Sequence, residues 1–178
     1  MPSPVGHTVE GVALRLLNGN NVVIRPIRPA DKRLLERGMR QMSPESARLR
    51  FLTPKDHLTL AELRYLTEID YVHHYAVVAV AADDPDALLG VGRWVRDPAR
   101  PNAAELAITV CDSRQGQGIG TALGEALVDA ARARGVDEFT ASILPENEPA
   151  QRLFAHLSGQ MSGHVDHGVY EVVAKLAT

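Results

Sequence analysis

The stretch "CDSRQGQGIGTALGEALVDAARARG", Cys111 to Gly135, constrains this chain more than any other. It sets Gly116, Gly118 and Gly120 at alternate positions and then runs into Ala- and Leu-rich helical periodicity. Just before it, "AAELAITVC" (Ala103–Cys111) reads as a strand. A strand, a glycine turn and a helix in succession present unpaired N–H groups, with the positive end of the helix dipole behind them. Phosphate groups bind at such a place, because glycine lets the backbone approach with no Cβ in the way. Spacing excludes two phosphate loops. A Walker loop needs GxxxxGK followed by Ser or Thr, and the stretch holds no lysine. A dinucleotide fingerprint needs GxGxxG, but counting from Gly116 or Gly118 puts Thr121 or Leu123 in the last position. The pattern that stands is Gln-x-x-Gly-x-Gly, made by Gln115, Gly118 and Gly120. A glycine turn needed only for packing is the competing reading.

The flanking sequence alternates between helical and extended signals. "VALRLL" and "NVVIRPI" form a hairpin pattern around "NGN". Asp31 is placed to cap a helix over "KRLLERGMRQM", and Ser43 to cap "SPESARLRF" with Pro44 at its first position. A third helix is predicted from Leu58 to Ile69. Strands follow over His74–Ala82 and Leu88–Arg96, joined by "DDPDA", and over Ala103–Cys111. A helix from Gly118 to Arg134 crosses to the strand "DEFTASIL"; "ENEPAQRLFAHL" is a last helix and "GVYEVVAKLA" a last strand. This is one α+β domain over 12–178 with a mixed sheet, preceded by a Pro/Gly-punctuated segment, 1–11, expected to be mobile.

Composition narrows the function classes. With 178 residues, 45% hydrophobic and 23% charged, the chain is that of an ordinary folded domain. A net charge of −3 without a dense basic run gives no footprint for nucleic acid. The most apolar run, "AVVAVAA", is far short of the roughly 20 residues of a membrane span, and the N-terminus has no signal-peptide pattern. A single cysteine, Cys111, allows no internal disulfide and favours a cytoplasmic location. "HVDH" (His164–His167) lacks a third ligand at usable spacing and reads as a loop, so no metal is expected. Cys111 reads as a small buried residue rather than an acyl carrier. His73 and His74, adjacent on an extended segment, point opposite ways and are not expected to act together. Arg48 and Arg50 of "RLRF" read as a solvated face, and Trp94 as core.

Gln115, Gly118 and Gly120, the strand before them and "PEN" (Pro145–Asn147) after the next strand together resemble the GNAT superfamily of N-acetyltransferases. The resemblance runs from Val22 to Leu176 and is most specific over Ala103–Leu157. "SPESARLRFL", "LTEIDY" and "AELAITV" narrow it to bacterial, Pat-like protein lysine acetyltransferases. It implies a mostly antiparallel sheet of about seven strands flanked by helices, with a splayed central pair that admits acetyl-CoA. The pantetheine arm is then expected along Ile108, Thr109 and Val110, and against Asn147. The pyrophosphate is expected on the backbone N–H groups of Gln115, Gly116, Gln117, Gly118, Ile119, Gly120 and Thr121. A main-chain N–H at a bulge of the first splayed strand is expected to polarise the thioester carbonyl.

Acetyl transfer needs a neutral amine, and a lysine ammonium with a pKa of about 10.4 is protonated at neutral pH. The resemblance assigns the base to Glu105, the one carboxylate in "AAELAITV", where partial burial is expected to raise its pKa. An edge or solvent-facing glutamate is the competing reading. Many family members carry a tyrosine seven residues after the asparagine as acid for the departing thiolate; here that position is Phe154. The expected activity is direct acetyl transfer to a protein lysine in a ternary complex. A small-molecule amine is the second acceptor, and a non-catalytic acyl-CoA-sensing module the reading from another class. The family's GNAT unit often accompanies a cyclic-nucleotide-binding or acyl-CoA-synthetase-like domain. No such companion is expected here, and the oligomeric state stays open between monomer and homodimer.

Overall fold

The computed structural model describes residues 11–176, so almost all of the segment expected to be mobile lies outside the described residues. The chain order is β1 (Val12–Arg15), β2 (Asn21–Pro26), α1 (Lys32–Gln41), α2 (Pro44–Phe51), α3 (Leu60–Thr67), β3 (His74–Ala81), β4 (Asp84–Asp97) and β5 (Arg100–Val110). Then come α4 (Ile119–Arg132), β6 (Glu138–Ile143), α5 (Glu148–Leu157), β7 (Ser158–Asp166) and β8 (Val169–Leu176). One eight-stranded sheet has the order β1-β2-β3-β4-β5-β6-β8-β7. Every neighbouring pair is antiparallel except β5 and β6, which run parallel on either side of the α4 crossover. The architecture is α+β and mostly antiparallel.

Central strand β3, "HYAVVAVA", is apolar on both faces because both are covered. Val77 and Ala79 pack with Trp94, Leu106, Leu123 and Leu127 under α4 and α5. Ala76, Val78 and Val80 pack with Leu34, Leu35 and Leu63 under α1 and α3. Helix α4 lies so close to the sheet that β4 needs glycine beneath it: a Cβ on Gly92 would meet Leu127 Cδ1 at 2.7 Å. Trp94 is fully buried and stacks on Tyr75 at 5.8 Å, as its core reading requires.

Helix starts follow their signals with one exception. Ser43 accepts from the Ser46 N–H, and Thr59 and Glu62 form a reciprocal capping box. Asp31 precedes α1 but does not cap it. Its carboxylate takes two bonds of 2.8 Å from Arg25 and one of 2.7 Å from the Arg28 N–H, pinning the β2–α1 connection instead. The sheet has eight strands rather than about seven, because β7 is a strand that sequence reading passes over. Its face is almost wholly exposed and Gly159 and Gly163 interrupt any alternation, so pairing with β8 alone defines it. His164 therefore lies in a strand, and His167 in the following turn at φ 47°.

Candidate active site

The β5–β6 ladder pairs only Ala103 with Glu138, Ala104 with Phe139 and Glu105 with Thr140. Beyond Glu105 the strands separate, and residues 106–110 of β5 have no partner on that side. Which backbone groups face the gap follows from alternation. The Cys111 N–H donates to Leu89 O and Asn102 O accepts from the Asp137 N–H, so odd-numbered residues of this run turn their amides to β4 and even-numbered ones toward β6. Ile108 and Val110 thus offer N–H and C=O to the gap, whereas the amide of Thr109 belongs to the ladder with Val91 and its side chain lines the opposite face. The expected bulge is not in this strand: β5 pairs with β4 in unbroken register from Ala104 to Val110, and the nearby shifts fall at Ala79–Ala81 and at Arg96–Asp97.

At the open end of the gap lies the glycine loop. Gly116 and Gly118 hold φ of 73° and 88°, conformations that glycine adopts without strain. These turns leave the N–H groups of Gly116 to Thr121 with no acceptor among the described residues, until the Ala122 N–H reaches Gly118 O at 3.0 Å. Six consecutive free amides at a helix start make a cradle for an anion. The Ile119 side chain is buried in the core, so only its amide serves. Gln115 does not join the cradle as expected: its N–H donates to Asp112 O and its side chain folds back toward Val110 O and Asp112, while Gln117 accepts from Asn18 of the β1–β2 turn at 2.9 Å.

Glu105 stands at the vertex where the ladder ends, on the face covered by α1, α2 and α3. It is exposed rather than partly buried, and it makes no hydrogen bond or ion pair among the described residues. On the same face, a cavity of about 70 Å³ runs between β4, β5 and the three helices, and Arg50 in its lining lies close enough to interact with the Glu105 charge. Cys111 lines it half-buried; its Sγ–H donates to Leu88 O and burial pushes its thiol up, away from a reactive thiolate.

Arg93 closes the cavity floor at 6% exposure and donates to Leu66 O at 3.1 Å and to His74 Nε2 at 3.0 Å. Burial first, and the Arg93 charge second, push His74 down to about 4 from an ordinary 6.5, so it is a neutral acceptor. His73, by contrast, is exposed and bonded to Asp70. An unfolded His74 takes up a proton that the folded one refuses. His74 therefore contributes stability that is complete above pH 6.5 and lost as pH falls toward 4, up to about 3 kcal/mol. In urea titrations His74→Gln is expected to flatten that part of the stability–pH curve; an unaltered slope would show that His74 is not the group.

Asn147, at the N-cap of α5, and Phe154, within it, differ in placement. Asn147 caps α5, its Oδ1 accepting from the Ala150 N–H at 3.3 Å, which leaves its NH₂ for a ligand. Phe154 is 5% exposed and belongs to the core, so it brings no acid to the gap. Sequence reading missed the role of α2. Asp112 accepts from the Ser43 N–H at 2.8 Å and from the Ser46 hydroxyl, and Arg48 bridges Glu45 and Glu146 at 2.8 and 2.9 Å. Helix α2 thus spans from the glycine-loop side to the β6–α5 loop. The separation of 66 residues between Ser46 and Asp112 hides that link from any local signal.

A split parallel pair above an amide cradle has close counterparts. A model of the acetyltransferase (GNAT) family matches residues 42–159. Acetyltransferase Pat of Mycolicibacterium smegmatis is 32% identical over 150 residues, 84% of this chain and 44% of that protein. Acetyltransferase PA5475 of Pseudomonas aeruginosa is 32% identical over 130 residues, 72% of this chain and 67% of that protein. The crystal structure of the GNAT domain of S. lividans PAT superposes with a TM-score of 0.84 at 26% identity, over 93% of this chain and 97% of that one. The chain thus spans less than half the length of the M. smegmatis Pat it matches. These likenesses define the class, a GNAT-fold domain. The chain belongs to the acetyltransferase (GNAT) family.

Proposed function

We propose that this chain transfers an acetyl group from acetyl-CoA to a primary amine, a protein lysine first among acceptors, by direct attack in a ternary complex. One observation carries the reading: six free backbone amides, Gly116 to Thr121, at the mouth of a gap edged by the unpaired backbone of Ile108 and Val110. The cradle fits a pyrophosphate, the open strand edge fits an amide-bearing arm, and the Asn147 NH₂ adds a donor at the far side. Acetyl-CoA supplies the activated thioester. Glu105, at the vertex, takes the amine proton directly or through water, so that nitrogen attacks as a neutral lone pair.

Phe154 supports a second reading, an acyl-CoA-sensing module, since α5 offers no hydroxyl to the departing thiolate. A thiolate leaves readily, so water suffices for its proton. Incubating the protein with isotope-labelled acetyl-CoA and a bacterial lysate separates the two. Acetyl-lysine found by mass spectrometry, with matching release of free CoA, is the expected result. Label on small amines alone would remove lysine as acceptor, and CoA binding without release would leave the sensor.

A further inference from the structure

The cavity on the Glu105 face of the sheet has an unusual charge pattern. Apolar side chains from α1, α3 and β4, such as Leu35, Met39, Leu66 and Val91, make most of its wall. Its lining contains two charged residues, Arg93 and Arg50, and no carboxylate. Arg93 is already engaged by Leu66 O and His74. Arg50 is half-buried and donates to no acceptor among the described residues; its guanidinium lies 5.0 Å from the centre of the Phe51 ring. Two residues away, Arg48 has two carboxylates, and Lys55, across the same Phe51 ring, has Glu62. Of these three neighbouring cations, Arg50 alone has no ion-pair partner among the described residues. Burial pulls the Arg50 pKa down, the Glu105 carboxylate opposes that, and the charge of Arg50 in turn weighs on Arg93.

A half-buried guanidinium set against an apolar wall, with a second cation behind it, has water rather than a protein acceptor on its open side, and it gains a partner when an anion takes that place. Arginine also presents its donors as a planar fork that matches a carboxylate in two bonds. The cavity, about 70 Å³, is several times the 10–15 Å³ that one water needs, room for a short apolar group but not for a whole metabolite. From these observations we infer that Arg50 is a specificity-determining residue that binds a carboxylate on the acceptor. The reacting amine lies toward Glu105, and a short apolar portion of the acceptor fills the cavity. The acceptor class is then an amine with a nearby carboxylate: a lysine beside an acidic residue in a peptide, or a free amino acid with an apolar side chain. This rests on the acetyl-transfer reading for the amine, but anion recognition by Arg50 is measurable without turnover.

The test uses matched probe pairs on the full chain saturated with CoA: leucine against leucinamide, and a lysine peptide flanked by glutamate against the same peptide with glutamine. Binding is read by calorimetry, and acetylation separately by CoA release. At least tenfold tighter binding of the carboxylate member in one pair is expected, and that pair identifies the source as free amino acid or peptide. Arg50→Gln is expected to reduce the ratio to within twofold, with the loss in KM rather than kcat; Arg152→Gln on the outer face of α5 keeps it. Should Arg50→Gln fail to fold, Arg50→Lys carries the test, since it keeps the charge but loses the fork and must lower the ratio. Equal binding of both members in each pair, or a ratio untouched in the Arg50 variants, overturns the proposal. An intact ratio without acetyl transfer to any probe sinks the acetyltransferase reading and leaves the anion site standing.

Discussion

Gly120→Glu is expected to abolish CoA binding, by at least a hundredfold in calorimetry, while the protein stays folded. A Cβ at Gly120 would sit 3.6 Å from Val110 Cγ2 and 3.8 Å from Leu153 Cδ2, ordinary contact distances, and the position does not hold a positive φ. The protein itself therefore admits a side chain there. An acidic group in the first turn of α4 is also favourable to the helix by about 0.3–1 kcal/mol. What it removes is the cradle: the added carboxylate enters the space between Val110 and Leu153 beside the free amides and repels another anion. Gly118→Glu makes an instructive contrast, because Gly118 holds φ at 88° and a Cβ there costs roughly 1–2 kcal/mol of strain. That variant is expected to lose thermal stability as well as CoA. Unchanged CoA affinity in Gly120→Glu would show that the loop holds no pyrophosphate.

The glycine loop was legible because its chemistry is local. Turn, free amides and helix start are all made by consecutive residues, so their spacing in sequence is their spacing in space. Local pairings were legible for the same reason, in the β1–β2 and β3–β4 hairpins and the α4 crossover. Legibility ended where long-range packing decides. Whether Thr109 or its neighbours face the gap depends on which edge of β5 pairs with β4, and alternation alone leaves that choice open until one hydrogen bond, Cys111 N–H to Leu89 O, fixes it. Arg48 and Arg50 look alike in "RLRF", yet the docking of α2 through Asp112 sends one to solvent carboxylates and the other into an apolar cavity. Strand β7 failed because an exposed edge strand needs no apolar alternation, only a partner. The expected burial of Glu105 failed because its neighbours in sequence are apolar but its side of β5 at the vertex is left open.

Glu105→Gln is expected to lower acetyl transfer by about 10²–10⁴-fold with CoA affinity unchanged. The substitution is clean in this structure. Glu105 is exposed and has no hydrogen-bond or ion-pair partner among the described residues, so the amide removes a proton acceptor without disturbing a network. A surface change of that kind alters stability by no more than about 0.5 kcal/mol. The deficit should also depend on pH in a way a structural defect would not. As pH rises toward the lysine pKa of about 10.4, solvent itself supplies neutral amine and the variant should approach the parent protein. A constant deficit across that range would mean that Glu105 positions the acceptor and does not take its proton, while equal transfer at neutral pH would exclude it from the chemistry. Arg50 gives the outcome a further edge: its charge lies close enough to act on Glu105, so Arg50→Gln and Glu105→Gln are not independent, and their effects on transfer to a carboxylate-bearing amine should combine to less than their product.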